Sequence, residues 1–155
     1  MKKIKIILDF FMKKSYIAAD SINKENLLLS QTAIYALRAV GYIATGETGR
    51  PVLSAYLSEQ LHIPQNYLSK IMYRLVQAGY LISKRGTNGG FILAKKANHI
   101  TIKEIVSLFM NIEQFDKCFL GEVKCDGSCG LHNEWQPIIG EFKKLINKNT
   151  IDKLF

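Results

Sequence analysis

The apolar positions of this chain change period twice along its middle. Ile34, Leu37, Val40, Gly41 and Ala44 recur at three- and four-residue intervals, the spacing of one helix face. Ser30 precedes them, and its hydroxyl can accept from the free N–H groups of a helix start. Gly46 and Gly49 stop this helix. Pro51-Val-Leu leads to Ser54, read as a second N-cap, and to a short helix ending at Leu61. His62-Ile63 makes a tight turn, and Pro64 opens a third helix from a first-turn position, where its missing N–H costs nothing. Leu68, Ile71, Leu75 and Ala78 form its core face, and Gly79 ends it. Two short helices joined by a brief turn predict a helix-turn-helix.

After Gly79 the period shortens. Tyr80-Leu-Ile-Ser reads as a strand, Lys84 to Gly90 as a turn and Phe91-Ile-Leu as the returning strand, so a β-hairpin wing follows the third helix. Thr101 can cap a further helix carrying Ile102, Ile105, Val106, Phe109 and Met110. Beyond a cysteine-rich loop, Trp135, Ile138, Ile139, Phe142, Leu145 and Ile146 mark a long amphipathic helix with Pro137 in its first turn. The fold class expected is mainly α: a winged helix-turn-helix with a hairpin wing and a long C-terminal helix. Three parts follow, an extension of unknown role over 1–28, a DNA-binding unit over 29–98, and a segment over 99–155 holding the loop at 118–132 and the long helix.

Charge bears on function through its location. The 155 residues carry a net charge of +8. From His62 to Lys96 there are six basic residues, Lys70, Arg74, Lys84, Arg85, Lys95 and Lys96, and no acid. A one-signed stretch over the helix-turn-helix and wing is the footprint expected of a phosphate-binding surface, although a solvated basic face has the same composition. On the third helix Gln65, Asn66, Tyr67, Ser69, Lys70, Tyr73 and Arg74 share the exposed face. Gln and Asn suit adenine edges, and Ser, Tyr and Lys reach phosphates or bases. At the wing, Lys84 and Arg85 stand beside Gly89 and Gly90, where backbone can approach a phosphate closely and Arg85 can enter a narrow minor groove. The partner expected is double-stranded DNA.

All three cysteines fall between Cys118 and Cys129, and the run Cys118-x6-Cys125-x3-Cys129-x2-His132 offers three thiols and an imidazole. Such a set can hold zinc or an iron–sulfur cluster. Lys117 and Lys124 beside two of the thiols favour the thiolate form, and Asp126-Gly-Ser and Gly130 let the loop wrap a ligand. A metal-free thiol switch, inert cysteines, and a merely capping His132 remain open on these residues alone. Three cysteines cannot all pair within one chain, and the charged start Met1-Lys-Lys-Ile-Lys-Ile-Ile-Leu-Asp9 is no secretory or membrane segment, so a cytoplasmic protein without membrane attachment is expected. An enzyme using Cys–His chemistry is not expected, because no acid–base constellation or cofactor loop accompanies the thiols.

Several of these motifs resemble one family. Leu29-Ser-Gln-Thr-Ala-Ile-Tyr-Ala-Leu-Arg38 is similar to the first helix of the Rrf-two family of bacterial winged-helix regulators, and Ile63-Pro-Gln-Asn-Tyr-Leu-Ser-Lys-Ile-Met72 to its recognition helix. Leu75-Val-Gln-Ala-Gly-Tyr-Leu, Arg85-Gly86 with Gly89-Gly90-Phe91, and Ile100-Thr-Ile-Lys-Glu-Ile-Val resemble the turn, wing and helix that follow, while Cys129-Gly-Leu-His132-Asn-Glu-Trp135 resembles the cluster loop of its iron–sulfur members, the IscR-like and NsrR-like proteins. The resemblance covers about residues 28–155. It implies a homodimer held by the long C-terminal helix, an imperfect palindromic operator, and an iron–sulfur cluster, [2Fe–2S] or [4Fe–4S], on Cys118, Cys125 and Cys129. It also implies a regulator, on this reading a repressor, that responds to iron–sulfur status, nitric oxide, iron or redox stress. NsrR-like sensors draw a carboxylate from the partner's first helix, but no acid stands near Ile34, so His132 is the implied fourth ligand. The sequence departs from the family pattern in its uneven cysteine gaps, in His62 where many relatives have a turn glycine, and in Thr87-Asn88 at the wing tip.

Overall fold

The computed structural model describes residues 28–46, 50–86, 89–119, 127 and 129–155. Of the expected N-terminal extension only Leu28 falls among them. Helix α1 (Gln31–Thr45) lies at the centre of the fold, and the Ser30 hydroxyl accepts from the Ala33 N–H at 3.2 Å. Its buried face is broader than the expected stripe. Ala33, Ala36, Ala39 and Ile43 join Leu37, Val40 and Gly41, while Ile34 and Ala44 are only half-buried. The reason is that α1 is packed on several sides at once, and small alanines let neighbouring elements approach closely.

Helices α2 (Ser54–Leu61) and α3 (Gln65–Gln77) form the helix-turn-helix. Ser54 is the first helical residue rather than the cap. Leu53 holds the cap position without a side-chain bond, and the Ser54 hydroxyl instead accepts from the Gln65 amide at 3.3 Å across the turn. Pro64 likewise stands one residue earlier than expected, just outside α3, where its carbonyl accepts from Tyr67 and Leu68. The two helices end alike. His62 (φ 52°) and Gly79 (φ 76°) both take the left-handed conformation, and Ile63 and Tyr80 bond back to the carbonyls of Ser58 and Leu75. The Arg38 guanidinium caps the first of these ends, donating to the Leu61 carbonyl at 2.9 Å. On α3 the core face is Leu68, Ile71, Met72 and Leu75. Ala78 is exposed, because the helix ends at Gln77 and Met72 fills the face in its place.

The wing pairs β1 (Leu81–Lys84) with β2 (Gly90–Leu93) in antiparallel register, Leu81 opposite Leu93 and Lys84 opposite Gly90. Lys84 and Gly90 are therefore paired strand residues and not part of the turn. Val52 joins the wing through an isolated bridge, exchanging two 2.9 Å bonds with Phe91. Helix α4 (Ile102–Ser107) opens with a reciprocal cap. Thr101 accepts from the Glu104 N–H at 3.2 Å, and the Glu104 carboxylate accepts from the Thr101 N–H at 2.7 Å. Phe109 and Met110 lie beyond its end, half-buried against the core. A 3₁₀ turn over Ile112–Asp116 leads to the cysteine loop, and α5 (His132–Lys148) follows. Pro137 is inside α5 rather than in its first turn, because the helix begins a turn earlier, with Glu134 and Trp135 bonding to the Leu131 carbonyl. The chain end returns to the core. Ile151 donates to Ile100, and Ile102 donates to Asn149, both at 2.9 Å. The result is a mainly helical winged helix-turn-helix with a long C-terminal helix.

Candidate nucleic-acid interface and metal centre

The reading face of α3 is assembled by burial of its other side. With Leu68, Ile71, Met72 and Leu75 against α1 and α2, the 3.6-residue period places Gln65, Asn66, Tyr67, Ser69, Lys70, Tyr73 and Arg74 in solvent. These residues are not equivalent. The Tyr67 hydroxyl is bonded to Thr32, and its ring meets Tyr35 edge-on at 5.8 Å, which ties the start of α3 to the start of α1. The Ser69 hydroxyl donates back to the Gln65 carbonyl at 2.8 Å. Arg74 lies over the Phe109 ring at 5.4 Å, toward α4 and α5. Asn66, Lys70 and Tyr73 extend into solvent, so of the predicted contacts Asn66 and Lys70 are presented most directly, whereas the exposed Arg74 also rests on the Phe109 ring. Neither the Thr32 partner of Tyr67 nor the Phe109 platform was legible in the sequence, since both depend on elements brought together from more than 30 residues away.

In the wing, Lys84 and Arg85 are exposed, while the two glycines answer to backbone geometry. At Gly90 (φ 145°) a Cβ would stand 2.6 Å from the Val52 carbonyl oxygen, and at Gly89 2.5 Å from that of Lys84. Both positions require glycine for the close approach of neighbouring backbone. Thr87 and Asn88 lie outside the described residues. At the wing root Lys95 stands over the Tyr80 ring at 5.5 Å. The Glu104 carboxyl is held below its usual range, first by the Thr101 N–H it accepts from, while burial opposes the shift and the Thr101 hydroxyl, Lys95 and Tyr80 reinforce it.

Three of the four predicted metal ligands fall among the described residues, and Cys125 does not. Cys118 is buried, Cys129 is half-buried, and their sulfurs are 3.5 Å apart. His132 is half-buried at the first position of α5, and its N–H donates to the Cys129 carbonyl at 3.0 Å. On the other side Trp135 donates from Nε1 to the Lys117 carbonyl at 3.3 Å and packs edge-on against Phe119 at 5.3 Å. Lys143 pairs with Asp116, and Phe142 meets Phe115 at 5.3 Å. Helix α5 thus holds both ends of the loop. Two convergent, partly shielded thiols fit a thiophilic metal or cluster. Among the described residues, no group of three Cys, His, Asp or Glu side chains is arranged to hold a metal ion.

This arrangement, a winged helix-turn-helix followed by a cysteine loop and a long helix, matches over residues 29–155 the family described as Rrf2, iron-dependent transcriptional regulator. The chain belongs to the Rrf2 family. It is 32% identical over 132 residues to a candidate HTH-type transcriptional regulator of Aquifex aeolicus (strain VF5), covering 83% of this chain and 91% of that one. It is 30% identical over 128 residues to the HTH-type transcriptional regulator IscR of Pectobacterium atrosepticum, covering 81% and 77%. Among solved structures, CymR, the global cysteine regulator of B. subtilis, superposes with a TM-score of 0.69 at 20% identity over 83% of this chain and 96% of that one. T. potens IscR superposes with a TM-score of 0.64 at 21% identity over 83% and 86%. These two likenesses establish the winged-helix fold. The chain is an Rrf2-family transcriptional regulator, and DNA binding belongs to that role. No helix among the described residues is long and apolar enough to cross a membrane.

Proposed function

We propose that this protein is a cytoplasmic, homodimeric repressor whose operator affinity is set by an iron–sulfur cluster on Cys118, Cys125, Cys129 and His132. The convergence of Cys118 and Cys129 to 3.5 Å at the foot of α5 carries this reading. Thiolates supply the hard-to-replace ligands, the neutral imidazole completes the set, and metal affinity falls as protons compete for these groups. The cluster would supply sensitivity to iron–sulfur supply, nitric oxide or oxidants. The names of the IscR relatives support the same reading. In this account 29–98 reads DNA, 99–155 senses and dimerises, and 1–28 has no assigned role.

The dimer rests on α5. Leu131 and Ile138 are 43% and 55% exposed, and half-buried Trp135, Phe142 and Leu145 continue their line. Positions 131, 135, 138, 142 and 145 follow the alternating four- and three-residue spacing of a helix–helix seam. A two-fold pair of such chains offers two copies of α3 to an imperfect palindrome, with Asn66 and Lys70 in the major groove and Arg85 at the minor groove. Gln65, Tyr67 and Ser69 position α3, and Lys84 flanks the wing tip that Gly89 and Gly90 shape.

A second reading, favoured by the same thiol contact and by the likeness to CymR, is a regulator working through thiol oxidation, zinc or a small effector without a cluster. Purification without oxygen separates the two. A brown protein with visible charge-transfer bands, iron and acid-labile sulfide is expected. A colourless protein after reconstitution with iron and sulfide would instead establish the second reading.

A further inference from the structure

A cleft of about 720 Å³ lies between the end of α3, α4 and α5, within the size range of small-molecule sites. Its floor is apolar. Ile112 and Ile146 are 8% and 2% exposed, and half-buried Leu108, Phe109 and Met110 join them. Charged side chains complete the lining, with Arg74 from α3, Lys103 from α4 and Lys143 from α5 alongside Glu113 and Asp116.

These charges are not equally committed. Lys143 and Asp116 pair with each other. Arg74 lies over the Phe109 ring at 5.4 Å, and a guanidinium stacked on a ring keeps its N–H groups for a ligand. Among the described residues neither Arg74 nor Lys103 is in an ion pair. The Ser107 hydroxyl is spent on the Lys103 carbonyl at 2.8 Å, and the Asn111 side chain accepts from the Glu113 N–H at 2.9 Å. Two uncommitted cations, Arg74 and Lys103, thus stand against one uncommitted acid, Glu113, a surplus of one positive charge. That surplus suits a group of charge −1, whereas a dianion would be repelled more strongly by the Glu113 and Asp116 carboxylates. The apolar floor asks for a hydrocarbon body or ring beside the anion.

We propose that this cleft binds a small organic monocarboxylate, with Arg74 and Lys103 on the carboxylate and Phe109, Met110 and Ile146 against its apolar body. The site stands apart from whatever the cysteine loop binds. On α5 its lining residues are Lys143, Ile146 and Asn147, none of which belongs to the seam at 131, 135, 138, 142 and 145. Arg74 is part of α3 and Ile146 of α5, so the ligand touches the reading helix and the long helix together. Met110 adds a link to α1, because its sulfur accepts from the Ser30 N–H at 3.4 Å.

The test is methyl NMR on the full-length protein labelled at its methionines, titrated at fixed ionic strength with benzoate, benzylamine and phenyl phosphate. Met110 lines the cleft, and Met72, buried beneath α3, serves as the internal reference. Benzoate should move the Met110 methyl saturably, with a dissociation constant on the order of millimolar for so small a ligand, and leave Met72 in place. Arg74→Gln and Lys103→Gln should each weaken benzoate about three- to fivefold, while Lys144→Gln, an exposed charge outside the lining, should not. The unchanged Met72 signal shows that each variant is folded. A Met110 methyl that does not move would overturn the site. Tighter binding of benzylamine or phenyl phosphate would overturn the ligand class. Equal weakening by Lys144→Gln and Arg74→Gln would reduce the effect to general attraction by a basic surface and overturn the proposal.

Discussion

The DNA-reading half and the cysteine loop are built on different physical terms. In the first, Leu57, Ile63, Leu68, Ile71, Met72, Leu75 and Leu81 are almost wholly buried, and helix ends are closed by backbone and side-chain bonds. In the second, the described contacts that hold the loop to α5 are an indole–carbonyl bond, an amide–carbonyl bond, two ring pairs and an ion pair. One region is held by the continuous apolar core that it shares with α4, α5 and the chain end. The other is positioned by a few polar and aromatic contacts, so the energy of a bound ligand can change its conformation without unfolding the domain. That division suits a sensor, in which the reading unit must persist in both states.

The largest expected effects test this division directly. Leu68→Ala empties a fully buried site and should cost about 3 kcal/mol in denaturant unfolding, disabling both halves together. Cys118→Ala and Cys129→Ala should abolish iron binding yet leave the circular dichroism spectrum and the dimer intact. A cysteine variant that unfolds like Leu68→Ala would break the comparison.

Within the reading half, Lys70→Ala should weaken operator binding about tenfold and lower the slope of log affinity against log salt by about one. Arg85→Ala should weaken it by about 1–3 kcal/mol if the guanidinium enters the minor groove. Arg74→Ala should leave the salt slope nearly unchanged, since this guanidinium lies over Phe109. Anisotropy titrations at several salt concentrations distinguish the three.

Smaller effects come from the helix ends. Glu104→Ala should cost about 1 kcal/mol at neutral pH through loss of the reciprocal cap. Because the Glu104 carboxyl is held below 4.5, its contribution is complete above that pH and is lost as pH falls through the lower folded-state value. The gap between wild type and variant in thermal unfolding should therefore close under acid. His62→Gly should stabilise by about 0.5 kcal/mol, because glycine adopts the left-handed turn without the steric cost that histidine bears. A lowered denaturation midpoint for this variant would contradict that account of the turn.

What was legible in the sequence follows the same division. The helix-turn-helix and wing could be read because each element announces itself locally, through Ser30, Pro64, Gly79 and Thr101 at helix ends and through a change of apolar period. Elsewhere the structure adds contacts that residue spacing alone does not display. Ser54 looks like a cap, but it accepts from Gln65 across the turn. Gly89 and Gly90, read as glycines that let a phosphate approach, also let neighbouring backbone approach closely. Arg74 belongs by spacing to the reading face and also lies over the Phe109 ring. Pro137 suggests a helix start, whereas bonds from Glu134 and Trp135 begin α5 earlier. The four candidate ligands, three thiols and one imidazole, were visible as a cluster in sequence. The meeting of Cys118 with Cys129 was not, because it depends on how α5 holds the two ends of the loop.

The central claim is that the loop controls the reading unit. It is tested most directly by the affinity of one selected palindromic DNA for the cluster-loaded and the cluster-free protein, measured without oxygen at fixed salt. A difference of about tenfold or more, corresponding to a coupling of 1–3 kcal/mol, is predicted. Equal affinities in the two forms, with a demonstrably loaded cluster in one of them, would contradict the account.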